Sequence, residues 1–121
     1  MAKPSPIVDG IARTLLCLVF VNAVIGKFMG FAGTVTMMQG RGLPLAPLLL
    51  AAAMVLMAVG SLLVISGRRQ RLGAILLLIF LVPTTLIFHH AIGDPAERIA
   101  LFKNVAIIGG LLLVAGRPVE L

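Results

Sequence analysis

The sequence predicts an all-α integral membrane protein, a four-transmembrane-helix bundle with an interfacial or re-entrant segment between helices 1 and 2. Three observations carry that prediction. Hydrophobic residues make up 60% of the 121 residues and charged ones only 12%, more apolar surface than one small domain can hide from water. Four apolar stretches are each long enough to cross a hydrocarbon core of about 30 Å. Between them stand glycines, prolines and basic residues, which end spans and anchor them at interfaces. A chain of this length holds one domain.

Residues 1–10, with Lys3, Pro4, Pro6 and Asp9, read as a short disordered or interfacial lead. The first span covers about 11–30, with Arg13 and Lys27 snorkelling outward from either end of its uncharged stretch. Val21-Asn22-Ala23 loosely mimics a signal-peptide cleavage site, but Asn22 and Lys27 continue a helix rather than open a mature domain. Residues 31–43 are too polar and too short to span, and fit a half-helix at the interface. Pro44 and Pro47 open a second span, about 45–66, since proline is tolerated in a first turn; Gly67 is its natural stop. Arg68-Arg69-Gln70-Arg71 is a tight basic loop. The third span, about 72–90, contains Pro83, which is expected to kink it and to free the carbonyl of Ile79. Asp94, Pro95 and Glu97 have the spacing of N-cap, N1 and N3 in a capping box. They start a fourth span, about 95–115, which Gly116 and Pro118 end. The membrane domain is therefore 11–116, with a tail of 117–121.

The net charge of +6 would suggest nucleic acid in a water-soluble chain. Here the basic residues sit at span ends, so membrane lipid is the expected partner and nucleic acid is not. Lys3, Arg13, Arg68, Arg69, Arg71 and Arg117 fall on one side of the membrane; Lys27, Arg41, Arg98 and Lys103 fall on the other. The larger set includes the short arginine loop, so both termini are expected in the cytoplasm. Cys17 is the only cysteine, which excludes an intrachain disulfide and a cysteine-only metal site; it reads as inert packing. The sequence Gly26-x-x-x-Gly30 and the sequence Ala106-x-x-x-Gly110 read as small-residue faces for close helix packing. The methionines read as adaptable packing or lipid contacts.

Several short motifs, in order, resemble one family. Gly26-Lys27-Phe28, Gly30-Phe31-Ala32-Gly33 and Gly42-Leu43-Pro44-Leu45-Ala46-Pro47 look like the first half of a DoxX-family protein. Phe88-His89-His90, Asp94-Pro95 and Phe102-Lys103-Asn104 look like its second half. The resemblance runs from about Arg13 to Gly116. It implies a small four-helix protein of bacterial inner membranes, connected with quinol oxidation, thiosulfate:quinone oxidoreduction or thiol-redox homeostasis. The sequence departs from the family where a glutamate often precedes a glycine pair in the second helix; Met57 and Gly60-Ser61 stand there instead.

The chemistry-bearing residues gather around Thr84–Pro95, where a helix runs out into His89 and His90 and restarts on the Asp94 cap. Adjacent helical residues point about 100° apart, so the two imidazoles cannot share one small ligand unless the helix ends between them. The functional reading is a proton-accepting or hydrogen-bonding partner for a quinone carbonyl; the alternative is a polar helix end satisfied by headgroups. Lys103, about 12 Å below the start of its helix at a rise of about 1.5 Å per residue, is expected to turn inward. It would pair with Asp94, Glu97 or a bound anionic or quinoid group. His89, His90 and Lys103 are thus the candidate catalytic residues. Lys27, Arg41, His90, Lys103 and Asn104 are the candidate cofactor-binding residues, with Asn22 as a further member of the polar network. Asp94 and Glu97 read chiefly as helix caps.

No haem attachment motif, flavin signature or metal-ligand spacing is present in the sequence. Quinone is the expected cofactor. Without a redox centre of its own, the chain needs a partner redox protein, and self-association is a further expectation. The leading expectation is therefore a quinone-linked redox subunit or redox-homeostasis component. The alternatives are a non-catalytic anchor or assembly factor for a partner enzyme, and a small carrier or lipid-binding protein.

Overall fold

The computed structural model describes residues 5–88 and 93–117. These form α1 (Pro6–Met29), α2 (Phe31–Gly40), α3 (Ala46–Ser66), α4 (Gln70–Phe88) and α5 (Pro95–Ala115), with no strand among the described residues. At about 1.5 Å per residue, α1, α3, α4 and α5 are each about as long as a hydrocarbon core is thick, and all four are apolar enough to cross one. The ten residues of α2 extend only about 15 Å and cannot. The chain is thus a four-span bundle with one short helix between the first two spans.

Helix ends follow local chemistry. α1 begins at Pro6, inside the stretch expected to be a lead, because proline in a first turn gives up no intrahelical bond. α3 starts after Leu45, whose φ of 51° is the left-handed conformation, and stops at Gly67, where φ is 78° and glycine is at no disadvantage. α4 starts at Gln70, within the expected basic loop. It runs through Pro83, and the hydroxyls of Thr84 and Thr85 donate to the carbonyls of Phe80 and Leu81, both at 2.7 Å. Asp94 caps α5 as its spacing predicts, accepting from the Ala96 N–H at 2.9 Å.

Consecutive spans are neighbours: α1 packs on α3, α3 on α4, and α4 on α5, while α2 touches α1 and α3. The tightest crossing joins α3 and α4 at Gly60 and Gly73. A Cβ on Gly73 would sit 2.7 Å from the Gly60 carbonyl oxygen and 2.8 Å from Leu63 Cβ. This corrects the expectation placed on Gly26 and Gly30. A Cβ at Gly26 would meet nothing within 4 Å, and one at Gly30 only its own helix's carbonyl at 3.5 Å. Of the Ala106/Gly110 pair, Gly110 does approach another helix, at Leu16 of α1.

The main core is Cys17 and Phe20 from α1, Met57 and Val64 from α3, Ala74, Leu77 and Leu81 from α4, and Leu111 and Val114 from α5. It extends from the middle of the bundle toward the end that holds Arg13, Gly67, Gln70 and Arg117, called here the basic end. At that end Asp9 accepts from Arg13 Nε at 2.8 Å and from Arg117 Nη1 at 2.7 Å. Arg13 Nη1 donates to the carbonyls of Val64 and Ile65 at 2.7 and 2.8 Å, and Arg117 donates to Gln70 at 2.9 Å. Arg13 therefore turns into the bundle rather than snorkelling outward. The last carbonyls of α3 have no N–H partners within their helix, and Asp9 stands one turn away to hold the guanidinium on them. A second, smaller core, Met38 with Ala46 and Leu50, seats α2 on α3 at the opposite end.

Candidate functional site

Toward the end of the bundle opposite the basic end, a cavity of about 300 Å³ opens beneath α2. All five helices contribute to it. The polar rim is Lys27 at the last turn of α1, Thr34 and Arg41 from α2, Thr84 from α4 and Glu97 from the first turn of α5. The wall is apolar: Met37 and Met38 above, Leu50 and Ala53 on α3, and Phe80 on α4.

Each rim residue is placed by an element end. Lys27 is half-buried and makes no ion pair or hydrogen bond among the described residues. Arg41 caps α2 and reaches across to α4, where its Nη1 donates to the Ile87 carbonyl in a long contact of 3.4 Å. Thr84 lies one turn beyond Phe80, so hydroxyl and ring share the face of α4 that lines the cavity. Glu97 brings the rim's one carboxylate. Two fixed cations, one carboxylate and two hydroxyls thus surround an apolar chamber. Such a site suits an amphipathic molecule whose polar end accepts hydrogen bonds and whose body is flat or aliphatic. Among the described residues no three His, Cys, Asp or Glu side chains converge.

Of the residues singled out from the sequence, the structure brings Lys27 and Arg41 into one cavity. Lys103, expected to point inward, is exposed, and the inward position belongs to its neighbour Asn104. A step of about 100° along the helix separates the two. Asn104 donates to the Thr85 hydroxyl at 3.2 Å in the buried α4–α5 seam; neither lines the cavity. Asn22, expected in the same polar network, is exposed. His89 and His90 lie outside the described residues. Sequence reasoning left Thr34 and Thr84 out of the candidate site residues, and took Glu97 chiefly as a cap. The i, i+4 pair Phe80/Thr84 was the available signal for one of them.

The sequence profile of the DoxX family matches residues 9–90. Two Escherichia coli (strain K12) proteins are similar over most of their length. Inner membrane protein YphA is 34% identical over 115 residues, covering 91% of this chain and 82% of that protein. Inner membrane protein YqjF is 31% identical over 105 residues, covering 87% of this chain and 79% of that protein. No solved structure matches the chain. With four apolar spans, a family profile over more than half the chain, and two inner-membrane relatives, this multi-pass membrane protein belongs to the DoxX family.

Proposed function

We propose that the protein is an inner-membrane subunit that holds a quinone in the cavity beneath α2 on behalf of a partner redox protein. The observation behind this reading is the cavity itself. Its volume, about 300 Å³, is at the lower end of the range of roughly 300–1,000 Å³ for small-molecule sites. That suits a ring and the start of a tail. The residues present fit the group. The Lys27 ammonium and the Arg41 guanidinium are donors for ring carbonyl oxygens, while Met37, Met38, Leu50 and Phe80 offer apolar and soft surface to the ring faces. A bound quinone would supply two-electron, two-proton chemistry. Lys27 and Arg41 favour negative charge on its oxygens, and Glu97 is the rim group able to accept or return a proton.

Electrons must come from a partner, because the sequence carries no redox centre of its own. His89 and His90 follow directly on α4, and enter the proposal as further proton acceptors on their sequence position alone. The three-arginine loop at 68–71 puts the basic end and both termini in the cytoplasm by the positive-inside rule. The cavity then faces the outer leaflet.

The test is mass spectrometry of an organic extract of the purified, detergent-solubilised protein. Wild type and Lys103→Ala are expected to carry near-stoichiometric quinone. A folded Lys27→Ala, Arg41→Ala double variant is expected to have lost it. Absence of quinone from folded wild type overturns the reading and leaves the anchor role as its successor.

A further inference from the structure

A second feature lies on the face shared by α1 and α3. Val21, Val24 and Ile25 of α1 and Ala58, Leu62 and Ile65 of α3 line a cleft of about 220 Å³ that opens to the lipid side. Ser61 is the one polar residue along it. That residue is 2% exposed, and its Oγ is buried without a hydrogen-bond partner among the described residues. A buried hydroxyl left unmatched is unfavourable, and water is scarce at this depth. Five residues separate Ser61 from the end of α3, which puts it about 7–8 Å below the basic end at about 1.5 Å per residue.

The basic end supplies the other half of a lipid site. Ile65, on the cleft wall, is followed within a few residues by Arg68, Arg69 and Arg71, all exposed. They surround the N-terminus of α4, a helix with no acidic residue in its first turn. A helix N-terminus favours anions, and basic residues at its mouth strengthen that preference. The order from outside inward is therefore cation cluster, hydroxyl donor, apolar cleft. A diacyl phospholipid presents the matching order of phosphate, ester carbonyl and acyl chain.

We propose that this face binds one anionic phospholipid of the leaflet at the basic end. Its phosphate lies by Arg68 and Arg69, its ester carbonyl accepts from Ser61, and its chain occupies the cleft. The site shares no residue with the cavity beneath α2, and the proposal does not depend on the ligand of that cavity.

Native mass spectrometry of the full chain, released from mixed micelles of phosphatidylglycerol and phosphatidylethanolamine at equal amounts, tests it. Wild type is expected to retain one phosphatidylglycerol in preference to phosphatidylethanolamine. Arg68→Gln with Arg69→Gln should abolish the preference between headgroups. Ser61→Ala should lower retention of both lipids several-fold. Leu62→Trp fills the cleft from an exposed position, so it does not depend on repacking the core, and should remove the retained lipid. Equal retention of the two lipids by wild type overturns the headgroup assignment. Undiminished retention by folded Leu62→Trp overturns the cleft.

Discussion

Replacing Gly73 by alanine adds one methyl group at the point where α3 and α4 lie closest. Built on the existing backbone, that carbon falls 2.7 Å from the Gly60 carbonyl oxygen, 2.8 Å from Leu63 Cβ and 2.9 Å from Val64 Cγ2. Carbon atoms rest at about 3.5–4.0 Å. Two of the three obstacles are main chain or attached directly to it, so no side-chain rotation relieves them. The helices must separate, and a gap of 0.5–1 Å forfeits roughly a quarter to a half of each dispersion contact along the seam. Overpacking of this kind costs about 1–3 kcal/mol; with backbone among the obstacles, the upper end applies. Alanine returns about 1 kcal/mol of helix propensity, which leaves a net loss of about 2 kcal/mol. Gly26→Ala is the control, since its Cβ meets nothing within 4 Å, and it should stabilise by about 0.5–1 kcal/mol. Titration of detergent-solubilised protein with sodium dodecyl sulfate, followed by circular dichroism, measures both. The reasoning fails if Gly73→Ala unfolds at the wild-type midpoint, or if Gly26→Ala loses as much as Gly73→Ala.

Two further outcomes concern polar contacts. Arg13→Lys keeps the charge but cannot serve Asp9 and the Val64 and Ile65 carbonyls together, so it should cost about 2–4 kcal/mol; a wild-type midpoint in the same titration would refute the clasp. A double-mutant cycle of Asn104→Ala with Thr85→Val should give a coupling of about 0.6 kcal/mol and no more than about 1.7 kcal/mol, the mean and maximum for hydrogen bonds between membrane helices. Strictly additive losses would show that the α4–α5 seam does not depend on that bond.

What the sequence made legible is what depends on neighbours along one helix. α5 was readable at both ends, from the Asp94-Pro95 cap and from Gly116, and those bounds match the structure. α2 was readable as too short to span, because length alone decides it. Orientation around a helix axis was not readable. In lipid the outward face is as apolar as the core, so no stripe marks the inward side; this is why Lys103 and Asn104 were assigned to the same interior. The Gly60–Gly73 contact was hidden for a different reason. It joins residues on two helices, and their relative register is not written in either one. Arg13 could have been read correctly, since Asp9 stands four residues before it, the spacing of an intrahelical ion pair. The lead's expected irregularity concealed it.

The separation of the small core under α2 from the main core has an evolutionary consequence. Met38, Ala46 and Leu50 hold the roof of the cavity, while Cys17, Met57, Leu77 and Leu111 hold the spans together. Cooperative units drawn from different contacts open at different free energies. Substitutions in α2 can therefore recut the rim and wall without disturbing the α3–α4 crossing or the arginine clasp. Within such an architecture the cavity lining can change through substitutions in one ten-residue segment while the spans stay as they are. Relatives with the same spans need not then share a substrate.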